Sequence, residues 1–392
     1  MTAIPKTISP PRRMLLGPGP SDVHPRVLAA LAAPTVGHLD PYYLGIMDEM
    51  LSMLRAVFQT TNQMTFAVSG TGSAGQEACI VNLVEPGERV LVCTNGVFGG
   101  RLADMAARAG GDVTQIERPW GEVFSLEEVK AALARIKPRI VAIVLAETST
   151  GAWQPVEEIA AAVRDAGAML ILDTVTALGG IPVEIDRWQI DAVYSGTQKC
   201  LSCPPGLAPV SFSPRAVEKI LARQEKPRSW YLDVSLIAKY WGGERVYHHT
   251  APINMTYGLH EALRIVLDEG LEACFARHKK NHEALRAGLA ALGIEYAAQP
   301  GHALPQLNAV RIPEGVDDMV VRKALLDRFG IEIGAGLGAF KNKVWRIGLM
   351  GYSSREDNVL ALLAALEELL AEQGQAVERN ASIAAAEEVF NS

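Results

Sequence analysis

The chain has few cysteines, no excess of basic charge and no long uninterrupted apolar run, and each shortage excludes a class of protein. Five cysteines in 392 residues are an odd number, which makes no disulfide framework and suits a reducing compartment. Lys plus Arg total 37 against 44 for Asp plus Glu, a net charge of −7, so there is no basic field to neutralise the phosphates of DNA or RNA. No window reaches the roughly 18 consecutive apolar residues of a membrane span. The opening Met1-Thr-Ala-Ile-Pro5-Lys-Thr-Ile-Ser-Pro10-Pro11 has prolines where a secretory signal needs a continuous apolar stretch. The closing Val389-Phe390-Asn391-Ser392 is no peroxisomal tripeptide address. The expectation is a soluble, unexported, cytoplasmic protein. What the chain does have is an ordinary globular composition, 49% hydrophobic and 21% charged, at a length that predicts two to three domains of roughly 150 residues.

From about Asn62 to Phe212, short apolar runs alternate with longer amphipathic stretches, with Gly and Pro between them. That pattern predicts an α/β fold of repeated βα units around a mostly parallel, seven-stranded sheet. The expected strands are Met64–Val68, Arg89–Thr94, Val113–Glu117, Ile140–Ala146, Ala168–Leu172, Ala192–Ser195 and Leu207–Phe212. Many are apolar throughout, as expected where helices cover both faces. Ser125-Leu126-Glu127-Glu128 reads as a capping box opening a helix to Arg135, and Pro155 as the start of another to Ala166. Beyond about Gly270 the pattern changes to α+β: a helix over Leu271–Leu292, extended segments near Ala309–Ile312 and Val344–Leu349, and a helix from Arg355 to Glu372. The first twenty residues hold five of the 22 prolines and no periodicity, so they read as an arm lying on the body or on another subunit. The predicted organisation is an arm over residues 1–20, a large domain over 21–270 and a smaller C-terminal domain over 271–392. The tail after Gly374 reads as either a marginal helix or a disordered segment, and there is no internal repeat.

Four local features can carry chemistry. Ser69-Gly70-Thr71-Gly72-Ser73-Ala74-Gly75 turns from a strand into a helix, and the unpaired amides there, with the Thr71 and Ser73 hydroxyls, make an anion cradle. Gly70-x-Gly72-x-x-Gly75 also satisfies a dinucleotide fingerprint. The acidic residue that fingerprint needs about 20 positions on is missing, however, from Cys93-Thr94-Asn95-Gly96. A glycine turn that only packs helix on strand is the alternative. Lys199, in Ser195-Gly-Thr-Gln-Lys199, lies in a small-residue loop between two apolar strands, at the carboxyl edge of the sheet. A lysine partly desolvated there becomes a nucleophilic amine; a solvated surface charge is the alternative. Asp173 follows the apolar run Ala168–Leu172, where a charge is costly without a partner. A protonated ring nitrogen supplies one, and a helix N-cap or an internal ion pair also would. A phosphate, an aldehyde-binding lysine and a pyridinium partner together match pyridoxal phosphate, which carries all three groups on one ring. Fourth, Arg346 sits inside the apolar run Val344-Trp345-Arg346-Ile347, where its planar fork matches a substrate carboxylate or one of the chain's own acids. Cys200-x-x-Cys203 has no second pair at zinc spacing and reads as structural. His248-His249 cannot place both rings on one face of a helix or strand, which argues against a metal.

Leu16-Gly17-Pro18-Gly19-Pro20, Ser69-Gly-Thr-Gly-Ser73, Asn95-Gly96, Glu147-Thr-Ser-Thr-Gly151, Asp173, Ser195-Gly-Thr-Gln-Lys199 with Pro204-Pro205-Gly206, Tyr247-His-His-Thr250 and Arg346-Ile-Gly348 are similar in order and spacing to the alanine–glyoxylate/serine–pyruvate aminotransferases. These are class V members of the fold type I pyridoxal-phosphate enzymes. The resemblance runs from about Leu15 to Leu370. It implies that Lys199 binds the cofactor as a Schiff base and that Asp173 pairs with the ring nitrogen. Thr71, Gly72, Ser73 and Gln198 would hold the phosphate, joined by Tyr247 and Thr250 from the other subunit of a homodimer whose active sites lie at the interface. Val175 would pack on one ring face and Phe98 stack on the other, Ser149 would contact ring or substrate, and Arg346 would take the substrate carboxylate. Many relatives place tryptophan at Phe98, which stacks but lacks the indole donor, and Cys200 and Cys203 stand outside the pattern. The activity implied is ping-pong transfer of an amino group from alanine or serine to glyoxylate. Serine–glyoxylate and ureidoglycine–glyoxylate transamination are neighbouring readings, and a nicotinamide oxidoreductase is a more distant one. A non-catalytic dimer would be marked by loss of Lys199 or Asp173, and both are present.

Overall fold

The computed structural model describes residues 7–392; the first six residues of the expected arm lie outside them. The chain opens with β1 (Met14–Leu15), α1 (Pro25–Leu31) and α2 (Pro41–Val57). Each helix begins with proline behind a side chain that accepts from the second backbone amide, His24 for α1 and Asp40 for α2. Proline loses nothing at a position whose N–H has no helical partner, and the acceptor side chain satisfies the next one.

The alternating region follows as β2 (Met64–Ser69), α3 (Gly72–Leu83), β3 (Arg89–Thr94), α4 (Val97–Arg108), β4 (Asp112–Glu117), α5 (Leu126–Ile136), β5 (Ile140–Val144), β6 (Ala146–Glu147), β7 (Ala152–Trp153), α6 (Glu157–Asp165), β8 (Met169–Asp173), β9 (Ala192–Tyr194) and β10 (Leu207–Phe212). Seven of these strands form one sheet in the order β2-β10-β9-β8-β5-β3-β4. All its pairs are parallel except those of β10, which runs antiparallel to both β2 and β9. The carboxyl ends of β2, β3, β5, β8 and β9 therefore share one edge, where ligands bind in open α/β sheets.

Two boundaries differ from the sequence expectation. The strand expected to run to Ala146 stops at Val144, because Ala146–Glu147 pairs with Ala152–Trp153 in a hairpin of its own. That hairpin turns the Glu147–Gly151 segment out of the sheet plane, with Gly151 at φ +70° and its amide bonded to the Glu147 carbonyl at 2.9 Å. The helix expected from Pro155 begins at Glu157, with Val156 as its N-cap. The capping box of α5 is formed as expected by Ser125 and Glu128.

The remainder comprises α7 (Pro214–Ala222), α8 (Val234–Trp241), α9 (Ile253–Glu269), α10 (Leu271–Ala291), β11 (Leu307–Arg311), α11 (Asp318–Ala324), β12 (Ile331–Glu332), β13 (Gly334–Ala335), β14 (Val344–Gly348), α12 (Glu356–Glu372) and α13 (Ala381–Asn391). A three-stranded antiparallel sheet, β11-β14-β13, carries the C-terminal part. The tail is helical: α13 packs on α10 and α12, and the Glu367 carboxylate accepts from the Asn380 and Ser382 amides just before and within its first turn. Buried apolar residues gather into one large cluster on the seven-stranded sheet and a second one around β14, α10 and α12. The arm joins the second: β1 pairs in parallel with β12, and Leu16 is buried among Leu349, Trp345 and Val359.

Candidate active site

At the end of β2 the chain turns through Gly70 (φ +153°) into α3 at Gly72. Thr71 takes the N-cap position without capping the helix, and Thr71 and Ser73 are exposed; the Ala74 amide is spent on the Thr71 carbonyl at 2.7 Å, which leaves the Gly72 and Ser73 amides and both hydroxyls free for an anion. A Cβ on Gly72 would sit 3.4 Å from the Val175 side chain and 3.5 Å from the Gly196 Cα; glycine keeps this approach open. The Gln198 side chain closes the other side, its Oε1 buried without a partner. Amide oxygen and nitrogen are interchangeable by a flip, and the flipped form turns an N–H toward the cradle.

Beside the cradle, β8 ends in Asp173, which is buried. Its Oδ1 accepts from the Val175 amide at 2.8 Å and its Oδ2 from the Tyr194 hydroxyl at 2.6 Å. Neither alternative from the sequence holds, since Asp173 caps no helix and makes no ion pair among the described residues. Burial pushes its carboxyl up to about 6, against the pull of the Tyr194 and Val175 donors and of Lys199 and Arg101.

Lys199 is likewise buried, not a solvated surface charge, and burial first, then Arg346, pulls its amine down to about 8. Its Nζ donates to the Pro18 carbonyl, and a Cβ on Gly19 would lie 2.7 Å from that Nζ. The segment Leu16–Pro20 thus crosses over the lysine. It is tied down on both sides, by Ser21 Oγ to the Lys199 carbonyl at 2.8 Å and by Ser353 Oγ to the Leu15 carbonyl at 3.0 Å.

Arg346 lies in the central strand of the small sheet and is buried without a carboxylate partner among the described residues. Its Nε donates to the Ala335 carbonyl at 2.7 Å and one Nη to the Thr148 carbonyl at 3.3 Å, and burial pulls it down to about 10. Thr148 belongs to the Glu147–Gly151 turn, so the arginine of the small sheet reaches the edge of the large one. Glu147 organises that turn. Its carboxylate, fully buried and pushed up by burial, accepts from the Ser149 amide and hydroxyl, the Phe98 amide at 3.1 Å and the Gly99 amide at 3.3 Å. Phe98, at the start of α4, is half-buried with Arg101 over its ring at 4.9 Å. The Ser149 hydroxyl also accepts from the Val97 amide, so the structure places it as a link between the turn and α4.

Tyr247 and Thr250 are exposed and face each other, hydroxyl to hydroxyl at 3.4 Å. The His248-His249 doublet lies in a loop, where the helix-and-strand argument does not apply, and its rings do meet, Nδ1 to Nδ1 at 2.8 Å. His249 Nε2 contacts Ser69 Oγ at 2.6 Å, at the end of the strand that precedes the cradle, and Trp230 stacks on His248 at 4.5 Å. Cys200 and Cys203 are free and buried, and burial raises both thiols to about 12, which keeps them protonated.

One edge of the large sheet therefore gathers Thr71, Gly72, Ser73, Val175, Gln198, Asp173 and Lys199, with Phe98, Ser149 and Arg346 joined through the Glu147 turn. It contains an anion cradle with spare donors, a buried acid, a buried amine and a buried guanidinium, and the last three lack ionic partners among the described residues. Pyridoxal phosphate and a carboxylate substrate supply the missing partners, so the residues fit that group. Three groups in the site carried little signal in the sequence. Glu147 stood in the quoted Glu147-Thr-Ser-Thr-Gly151 motif without a role, Tyr194 lay inside the expected strand Ala192–Ser195 without one, and the Pro18 carbonyl is backbone.

Comparison with known proteins gives a consistent result. The profile described as aminotransferase class-V matches residues 26–361. A solved alanine–glyoxylate aminotransferase from Nostoc sp. is similar with 52% identity and a TM-score of 0.93, over 94% of this chain and 98% of that one. A ureidoglycine–glyoxylate aminotransferase from Bacillus subtilis is similar with 41% identity and a TM-score of 0.97, over 99% of this chain and 100% of that one. The alanine–glyoxylate aminotransferase of Mus musculus is 40% identical over 94% of this chain and 90% of its own length.

Proposed function

This chain belongs to the class-V aminotransferases, and we propose that it carries an amino group from alanine or serine to glyoxylate. It is a pyridoxal-phosphate enzyme of fold type I. The observation that supports the substrate reading is the likeness to a solved alanine–glyoxylate aminotransferase, 52% identical over 94% of this chain, together with a buried Arg346 that has no carboxylate partner among the described residues. The named relatives agree on glyoxylate and differ in the donor, and their likeness favours ureidoglycine as the second reading.

When bound, pyridoxal phosphate supplies an aldehyde that condenses with amines, a ring that accepts the electrons left at Cα, and a place for the amino group between the two half-reactions. In our reading, Thr71, Gly72, Ser73 and Gln198 hold the phosphate, and Val175 and Phe98 pack on the two ring faces. Asp173 keeps the ring nitrogen protonated. Lys199 would carry the covalent attachment, and its amine, when free, would take the proton from the substrate Cα as a base and give it back as an acid. Its depressed basicity leaves a useful fraction of free amine near neutral pH. Arg346 takes the substrate carboxylate in a fork that its two carbonyl contacts hold in position. Ser149 positions Phe98 and the substrate edge.

The proposed assembly is a homodimer. Tyr42, Trp230 and Tyr247 are 67%, 62% and 56% exposed. Trp230 stacks on His248, and Tyr247 packs beside His38, so Trp230 and Tyr247 belong to one aromatic patch next to Thr250. A patch of this kind fits a second copy whose phosphate Tyr247 and Thr250 reach. The proposed organisation is an arm over residues 1–20, a large domain over 21–270 and a small one over 271–392. Steady-state rates for alanine, serine and ureidoglycine with glyoxylate test the substrate assignment. Alanine or serine should give the highest kcat/KM, and a preference for ureidoglycine above tenfold overturns it. Borohydride reduction followed by peptide mapping should label Lys199.

A further inference from the structure

We propose that Tyr194 is a positioning residue, whose hydroxyl fixes the Asp173 carboxylate and keeps it ionised so that a free lone pair faces a protonated ring nitrogen. The inference rests on the reading of Asp173 as the ring-nitrogen partner. It begins with strand register. Asp173 and Tyr194 are direct partners across the parallel pair β8 and β9, so their side chains leave the sheet on the same face as neighbours. Tyr194 is fully buried in the main apolar cluster, where phenylalanine would pack equally well. A hydroxyl in such a place is costly unless it is bonded, and its bond goes to Asp173 Oδ2 at 2.6 Å.

With the Val175 amide on Oδ1 and Tyr194 on Oδ2, each carboxylate oxygen is held by one donor and keeps a lone pair. Rotation of the carboxylate would break both bonds, so the orientation offered to the ring is set before the ring arrives. The surrounding charges cannot do this alone. Lys199 and Arg101 favour the ionised acid, Glu147 opposes it, and Cys79, raised by burial, stays a neutral thiol. Among these influences Tyr194 is the largest that offsets burial, and its own phenol, pushed well above 10, remains a donor throughout the working range.

Removing the hydroxyl raises the pH at which Asp173 takes up a proton, and a neutral acid no longer holds a protonated ring. The probe is pyridoxamine 5′-phosphate, which cannot form the covalent link to Lys199, titrated into the cofactor-free protein from pH 5.5 to 8.5. The wild-type affinity should be level at the upper end and fall only as pH drops through about 6. For Tyr194→Phe the fall should begin about one pH unit higher, so that protonation of Asp173 weakens affinity about twofold near pH 7 and about fivefold near pH 6 relative to wild type. Asp173→Asn should bind weakly without this step. A Tyr194→Phe profile parallel to wild type, even if uniformly weaker, overturns the proposal and leaves Tyr194 a packing residue. If Tyr194→Phe does not fold, 3-fluorotyrosine at position 194 replaces it. The stronger donor should move the fall to lower pH, and an unmoved profile again overturns the proposal. Failure of the wild-type protein to bind the probe at all refutes the underlying assignment of Asp173 instead.

Discussion

Lys199 is a charge-bearing side chain held where a charge is unwelcome. Its amine is depressed from 10.5 to about 8. Below about pH 8 the folded state must carry a buried ammonium that the unfolded state keeps in water. The folded pKa is lowered, so the unfolded chain binds more protons between the two values, and this penalty fades as pH rises from about 8 toward 10.5. It corresponds to roughly 3 kcal/mol at neutral pH. The cofactor-free Lys199→Met variant should therefore unfold at higher urea than cofactor-free wild type at pH 7, with the gap closing near pH 10. A less stable variant at pH 7 would contradict a buried free amine. Arg346 is the site's other buried cation without a carboxylate partner among the described residues. Arg346→Gln keeps the strand but loses the fork, so KM for alanine and glyoxylate should rise about a hundredfold with a smaller effect on kcat. An unchanged KM would show that the carboxylate binds elsewhere. These residues were legible in the sequence because a lone charge in or beside an apolar run demands an explanation. Glu147 was not, because its donors Phe98 and Gly99 come from α4, 49 and 48 residues away, and nothing in the linear pattern joins the two segments.

At the level of elements, the strands of the large sheet were legible because most are compact apolar runs bounded by glycine, proline or a polar turn; the edge strand β4, Asp-Val-Thr-Gln-Ile-Glu, is the polar exception. The hairpin β6–β7 was not, since two-residue strands carry no periodicity, and its departure from β5 is fixed by the contacts of Gly151 with β11. Only three-dimensional packing decides between order and fraying in the tail, where Gly288 on α10 lets α13 approach closely enough for a Cβ to meet the Ser382 carbonyl at 2.8 Å. The arm posed a similar choice, body or partner, and its Leu16–Pro20 segment lies on the body, between Lys199 and β14. This strap bonds to both the lysine loop and the small sheet, Gly348 donating to the Leu16 carbonyl at 2.8 Å, so a shift of one is transmitted to the other. Gly19 is where that coupling is most exposed to test. It has φ +105°, and a Cβ there would press on the lysine amine. Gly19→Ala should slow covalent capture of pyridoxal phosphate about tenfold while leaving pyridoxamine phosphate affinity nearly unchanged, both read by absorbance. Equal losses in the two would place the damage in the phosphate cradle and not at the amine.

For the whole molecule, the question is which chain's phosphate Tyr247 and Thr250 serve. Both are exposed on their own chain, beside the aromatic patch formed with Trp230, His248 and His38. His249 in the same loop is bound to Ser69, which leads into this chain's own cradle. In the proposed homodimer, this loop would contact the approach to its own cradle through His249, while the exposed Tyr247 and Thr250 would serve the second site. Two inactive variants separate the alternatives: Lys199→Ala, and Tyr247→Ala combined with Thr250→Ala. If the pair serves the partner, a mixed dimer holds one site with Lys199 from one chain and intact Tyr247 and Thr250 from the other. The second site then lacks both. Random exchange makes about half the dimers mixed, each with one working site, so activity should return to about a quarter of wild type. If the pair serves its own chain, every site in the mixed dimer has one defect and no activity returns. Exchange of subunits under mild denaturant, followed by the transamination assay, decides between a shared site and two independent ones.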